Sequence, residues 1–195
     1  MTPSAFPSAA PSKRCGIPDN ERISAIFEKL KLVSAPELLS DPTTPQGKAM
    51  NWLVDDDEAF LCPNEVYACP NRLPERYALA VTYFATGGAK WTQCSRSDQL
   101  CGSQNPFNDA TNFLSGNHEC TWAGIGCLHK SNCVNIINFE ANNIVGTIPS
   151  EISALVQLEY WAMEQGGLFS TIPSSIGALE NLLLLDLDFN KLTGT

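Results

Sequence analysis

VNIINFEANNIVGTIPSEISALVQLEYWAMEQGGLFSTIPSSIGALENLLLLDLDFNKLTGT, residues 134–195, decides the fold, because this stretch repeats itself. Slid along itself by one period, Gly146-Thr147-Ile148-Pro149 falls on Ser170-Thr171-Ile172-Pro173, and Gly194-Thr195 begins a third copy. The same shift superposes Val134, Leu158 and Leu182; Ile137, Trp161 and Leu185; Phe139, Met163 and Leu187; and Ile144, Leu168 and Leu192. Leu155 falls on Leu179, and Ser150 and Ile152 fall on Ser174 and Ile176. A period of this length with every apolar position kept apolar is the mark of a stacked-repeat architecture.

Each copy has a physical reading. Apolar residues at alternate positions, such as Leu185 and Leu187, describe a short strand with one buried face. The asparagines Asn142 and Asn190 follow, where a side-chain amide can bond backbone that a turn leaves unpaired. Gly166 takes that place in the middle copy. The Ile-Pro pair then sets an extended segment, since proline bars its predecessor from helix.

Working outward, the preceding region carries eight cysteines. Cys62 and Cys69, Cys94 and Cys101, and Cys120 and Cys127 each enclose six residues, a spacing too long for half a zinc knuckle and suited to local loop-closing disulfides. Cys15 and Cys133 are left to pair with each other, or Cys133 displaces one partner; spacing leaves the connectivity open. Disulfides imply an oxidising compartment. Residues 1–7 lack the pattern of a signal peptide, and no apolar run is long enough to span a bilayer. The expectation is therefore an extracellular or cell-surface chain whose targeting element, and any membrane attachment, lie outside this sequence. The alternative is a cytosolic chain with reduced cysteines.

Further upstream, residues 1–19 read as a Pro/Ser-rich disordered linker and 20–74 as short helices and loops. Ile23, Ile26, Phe27 and Leu30 stand at helical spacing, with Asp19 or Asn20 as the cap. Ala49, Met50, Trp52 and Leu53 suggest another helix, and the acidic run Asp55-Asp56-Asp57-Glu58 reads as a solvated loop, lacking the ligand alternation and glycine of a calcium loop. A strongly apolar helix is predicted over about 75–85, opened by Pro74 and closed by Gly87-Gly88.

Leu182-x-x-Leu-x-Leu-x-x-Asn-x-Leu-x-Gly-Thr195 resembles the plant-type leucine-rich repeat. Cys120-Thr-Trp-Ala-Gly-Ile-Gly-Cys127 resembles the end of the N-terminal cap of that family, and Arg76 to Gly88 with Trp91 resembles the cap helix of receptor-like repeat proteins of diatoms and related algae. The resemblance implies that Cys120 and Cys127 are bonded and that Trp122 packs under the first repeat. It implies an α/β fold: a right-handed solenoid of 24-residue repeats over 134–195, about two and a half of them, behind a disulfide-rich, mostly helical cap over 75–133. The repeats stop before a third Ile-Pro, so Leu182, Leu185 and Leu187 are expected at an uncovered apolar edge, and the natural protein is expected to continue beyond Thr195.

Catalytic chemistry finds little support. His118 and His129, the two histidines, have no sequence-level partner as acid, base or nucleophile. No phosphate loop, dinucleotide fingerprint, zinc-protease motif or Asn-x-Ser/Thr sequon occurs. A net charge of −9, with 12 Lys and Arg that form no run longer than the pair Lys13-Arg14, argues against nucleic acid as a partner. No cofactor or metal is expected. What the repeat offers is a surface. Between the core positions lie Ile136, Asn138, Glu140 and Ala141; Tyr160, Ala162, Glu164 and Gln165; and Leu184, Asp186, Asp188 and Phe189. Asn138, Glu140, Tyr160, Glu164, Asp186, Asp188 and Phe189 are the candidate ligand-binding residues, aromatic groups beside acids that suit a protein or peptide bearing basic groups. The function expected is a receptor-like extracellular recognition module, with a secreted structural or hydrolase-inhibiting repeat protein as the alternative.

Overall fold

A computed structural model describes residues 15–98, 101 and 109–194. Most of the expected linker, residues 1–14, lies outside the described residues. Its last part is tied into the fold: Cys15 is disulfide-bonded and helix α1 (Asp19–Leu30) begins at Asp19. Neither Asp19 nor Asn20 caps that helix. Pro18, extended, precedes it, and the acids Asp19 and Glu21 in its first turn oppose the positive end of the helix dipole. The buried stripe is Arg22, Ile26 and Leu30, while Ile23 is exposed. Arg22 is held by its guanidinium, which donates to the Leu61 carbonyl at 3.2 Å and to the Val54 carbonyl at 3.3 Å.

Two shorter helices follow, α2 (Pro36–Ser40) and α3 (Pro45–Asn51). The Thr44 hydroxyl caps α3 by accepting from the Gly47 amide at 3.0 Å. A single π turn over Trp52–Asp56 extends α3 and closes when the Asp57 amide donates to the Trp52 carbonyl at 2.8 Å. That turn carries Asp57 inward. The long helix α4 (Arg72–Ala85) begins three residues before the predicted start, with Pro74 in its first turn where a missing amide costs nothing. Helix α3 packs along it, and Leu73 through Tyr83, apart from half-buried Pro74, are buried. Gly87, at φ 69°, ends the segment as expected.

Strand β1 (Ile125–Cys127) pairs antiparallel with β2 (Val134–Asn138). From there all pairing is parallel. β2 pairs with β4 (Tyr160–Ala162), which pairs with β6 (Leu184–Asp186), in the order β1-β2-β4-β6. Ile136, Tyr160 and Leu184 are partners in successive copies, each one sequence period from the next, and so are Ile137, Trp161 and Leu185. A second parallel row is formed by β3 (Val145–Gly146), β5 (Gly167–Ser170) and β7 (Lys191–Leu192). Its step is slightly shorter, with Val145 opposite Gly167 and Phe169 opposite Lys191. Between the rows run 3₁₀ turns over Ser150–Ala154 and Ser174–Ala178. The inward column is closed in the first two copies, where Ile137, Phe139, Trp161 and Met163 are buried, and open in the third, where Leu185 is 39% exposed.

The asparagines work unequally. The Asn190 amide donates to the Met163 and Leu187 carbonyls at 2.7 and 2.9 Å, and its oxygen accepts from the Leu168 amide at 3.0 Å. Asn142 has no preceding copy and instead binds Gln93, accepting from its amide at 2.7 Å and donating to its carbonyl at 3.3 Å. Gly146, at φ 153°, lets β3 press against the end of α4; a Cβ there would overlap the Ala85 carbonyl.

The disulfides correct the spacing argument. Cys94 is bonded to Cys101 and Cys120 to Cys127, but Cys62 and Cys69 do not pair with each other. Cys62 joins Cys15 and Cys69 joins Cys133, across separations of 47 and 64 residues. The cause is where each loop end is anchored. The Arg22 guanidinium of α1 donates to the Leu61 carbonyl at 3.2 Å and holds the Cys62 end by α1, whereas Cys69 sits just before α4, facing the start of β2.

The candidate recognition face and the buried charges behind it

The outward residues of the parallel strands line up in rows. Ile136, Tyr160 and Leu184 form one, and they are 37%, 44% and 42% exposed, so an apolar strip reaches solvent in every copy. Asn138, Ala162 and Asp186 form the next. Beyond the strands, backbone bonds keep the copies in step: Phe139 to Ala162, Met163 to Asp186, Ala141 to Glu164 and Gln165 to Asp188, at 2.9–3.2 Å. Glu140, Glu164 and Asp188 thereby occupy equivalent places, and so do Ala141, Gln165 and Phe189, each in the left-handed region at φ 49°, 54° and 55°. Non-glycine residues rarely adopt it. Its recurrence at one point of each copy turns the chain the same way three times.

All seven candidate residues lie along this face, with Phe189 78% exposed at its far end. Among the described residues none of Glu140, Glu164, Asp186 and Asp188 has an ion-pair partner. Partial burial, then the charges of Asp186, Glu140 and Asp188, push the Glu164 carboxyl above its ordinary range. The face therefore carries an unneutralised negative charge beside an apolar strip.

The segments before the repeats hold a cluster that the sequence did not reveal. The Arg76 guanidinium is fully buried, and all five of its N–H groups are used. It donates to both Asp57 oxygens at 2.7 and 2.6 Å, to the Ser115 and Asn117 carbonyls at 2.8 and 2.9 Å, and to Glu119 at 2.9 Å. Trp122 lies 4.6 Å and Trp52 5.3 Å from it. Arg72 completes the charge balance, donating to Glu119 at 2.9 Å. The acidic run is thus not a solvated loop throughout, since Asp57 is its buried member. Trp122, expected under the first repeat, is buried against Phe113 and Trp52. His118 caps a short turn, its Nδ1 accepting from the Cys120 amide at 3.2 Å, and burial lowers its pKa.

Two more buried acids fasten the helices to the first copy. Glu151 accepts from the Ser34 hydroxyl at 2.6 Å and from the Gln46 amide at 3.1 Å, and Ser34 in turn meets the Tyr77 hydroxyl at 2.8 Å. Glu75 accepts from the Val134 amide at 3.0 Å, and burial pushes its pKa up to about 7. The available signal for Glu151 was a break in the repeat, since a serine, Ser175, stands at its place in the next copy.

No helix among the described residues is long and apolar enough to cross a membrane. No protein-family model and no curated protein matches the chain. Among solved structures, the chain is similar to the leucine-rich-repeat ectodomain of the receptor kinase SOBIR1 from Arabidopsis thaliana, at 19% identity and a TM-score of 0.40 over 61% of this chain and 55% of that one. It is similar to the BIR3–SERK2 complex from Arabidopsis thaliana, at 28% identity and a TM-score of 0.37 over 39% and 42%. It is also similar to a plant ice-binding protein, at 22% identity and a TM-score of 0.37 over 64% and 42%. The chain spans between 42% and 55% of the length of these three structures.

Proposed function

We propose that residues 134–194 are the first turns of a right-handed leucine-rich-repeat solenoid with 24-residue copies, that 75–133 form its cap and 20–74 a helical extension of the cap, and that the module recognises a protein or peptide outside the cell. The observation that carries this reading is the in-register row Ile136, Tyr160 and Leu184 running beside four acids that have no ion-pair partner among the described residues. A parallel ladder reached by long crossovers takes the right-handed sense. An extended segment laid across the strands has one edge over the apolar strip and the other over the negative charge, which selects alternating apolar and basic residues. Asn138, Glu140, Tyr160, Glu164, Asp186, Asp188 and Phe189 supply the contacts. Four disulfides suit an oxidising compartment.

The test is fluorescence anisotropy with synthetic peptides in which apolar residues alternate with Lys or with Glu. The basic set is expected to bind, to weaken with added salt, and to lose binding to Y160A and E164K. Equal binding of both sets, or binding untouched by these substitutions, refutes the proposal.

A further inference from the structure

The junction between the helices and the first parallel strand holds three potential metal ligands. Cys69 precedes α4, Glu75 sits in the first turn of α4, and Cys133 precedes β2; all three are buried. Their two sulfurs and a carboxylate oxygen lie within 4.8 Å of one another. One Glu75 oxygen, Oε2, accepts from the Val134 amide, while Oε1 is buried without a partner. A buried acceptor left unpaired is costly and calls for an explanation, of which a bound ion is one. The nearby guanidinium of Arg76 has no spare donor for it, being fully used by Asp57, Glu119, Ser115 and Asn117.

We propose that Cys69, Cys133 and Glu75 form a redox-gated zinc site. In the oxidised chain the two sulfurs are bonded to each other and the site is closed to metal. A dithiol reductant passes two electrons and two protons to the disulfide, breaking the S–S bond and leaving as its own disulfide. Zinc then binds both sulfurs as thiolates, releasing their two protons, and takes Glu75 as third ligand and water as the fourth. Zinc–sulfur and zinc–oxygen bonds of about 2.3 and 2.0–2.2 Å set tetrahedral ligands about 3.5–3.8 Å apart, so the two sulfurs, bonded to each other in the oxidised chain, have to move apart on reduction, while the carboxylate oxygen already lies within 4.8 Å of both. Two thiolates and a carboxylate suit Zn²⁺ over the hard cations, which prefer all-oxygen shells. The same loop, helix and strand are then joined by a metal in reducing surroundings and by a disulfide in oxidising ones.

The test uses the full chain, reduced with a non-coordinating phosphine under inert gas, and Zn²⁺ alone. Each cysteine is followed by alkylation and peptide mapping. Zinc is expected to slow alkylation of Cys69 and Cys133 at least about tenfold and to leave the other six unchanged. Co²⁺, as a coloured substitute, should show a thiolate charge-transfer band that Zn²⁺ removes, that the oxidised chain lacks, and whose midpoint shifts at least about tenfold in E75Q. Glutamine keeps the acceptor for Val134, so a mere packing role for Glu75 would leave that midpoint unmoved. Protection absent or spread over all eight cysteines, or E75Q binding Co²⁺ as the parent does, overturns the proposal. If reduction melts the chain, zinc has to restore the folded circular dichroism spectrum; failure to do so overturns it too.

Discussion

Replacing Asp57 by alanine removes the bidentate partner of Arg76 and leaves a guanidinium with no exposure to water. Glu119 stays, but it already serves Arg72, and the Ser115 and Asn117 carbonyls bring no charge. Breaking a buried pair from one side costs about 3–5 kcal/mol, because the remaining ion is desolvated without compensation. For a chain of this size each kcal/mol moves Tm by about 2–4 °C, so the midpoint should fall by about 6–20 °C. The neighbouring pair Arg96–Asp56 is an internal control, with side chains 44% and 54% exposed and a separation of 3.2 Å. D56A should therefore cost less than about 1 kcal/mol. Combining D57A with R76M removes the orphaned charge, and the double variant should recover about half or more of the loss of D57A alone. The assay is thermal unfolding followed by tryptophan fluorescence, since Trp52 and Trp122 flank Arg76. Equal small costs for D56A and D57A would mean that Arg76 does not depend on Asp57 and would return the acidic run to a solvated loop.

Non-reducing peptide mapping should recover Cys15 with Cys62 and Cys69 with Cys133, and no peptide joining Cys62 to Cys69. On chain entropy alone, removing the Cys69–Cys133 bridge should cost about 4 kcal/mol and removing Cys94–Cys101 about 2.5 kcal/mol, measured by thermal melts of the paired alanine variants. Glu75 gives a pH dependence of unusual sign. Its folded pKa, about 7, lies above the ordinary value of 4.5, so the fold holds its proton more tightly than the unfolded chain does. That favours folding at low pH, and the advantage is lost between about pH 4.5 and 7, on the order of 3 kcal/mol in all. E75Q should remove this slope; a stability difference between E75Q and the parent that is the same at pH 4.5 and 8 would contradict it. G146A, which forces a Cβ into the Ala85 carbonyl at positive φ, should cost at least about 1–3 kcal/mol. G177A, with open space around it, should change stability by less than about 1 kcal/mol; a Tm difference between the two variants checks both.

The parts of the fold that are local or periodic were readable. The superposition of Ile137, Trp161 and Leu185 reflects a strand position that must be apolar in each copy, and the structure puts these three directly across from one another. The α4 helix was visible because it is buried nearly all round, and its end because Gly87 adopts a left-handed turn. What depends on distant partners was not readable. Equal spacing cannot show that Cys69 faces Cys133, which the folding of α4 against β2 brings together. Asp57 looks like its exposed neighbours until the π turn swings it beneath Arg76. The candidate face was placed by register alone; its positions line up across the copies, some of them exposed and others, such as Glu164 and Asp186, half-buried. The repeated left-handed residues Ala141, Gln165 and Phe189 leave no mark in the sequence, because none of them is a glycine.

Solution NMR reads the parallel ladder through backbone contacts between residues far apart in sequence. The structure requires short amide-to-backbone distances from Phe139 to Ala162 and from Met163 to Asp186, with Tyr160 lying between Ile136 and Leu184. Nuclear Overhauser effects linking these pairs in parallel register are the expected result. Antiparallel cross-strand effects within residues 134–192, or none between the copies, would contradict the account.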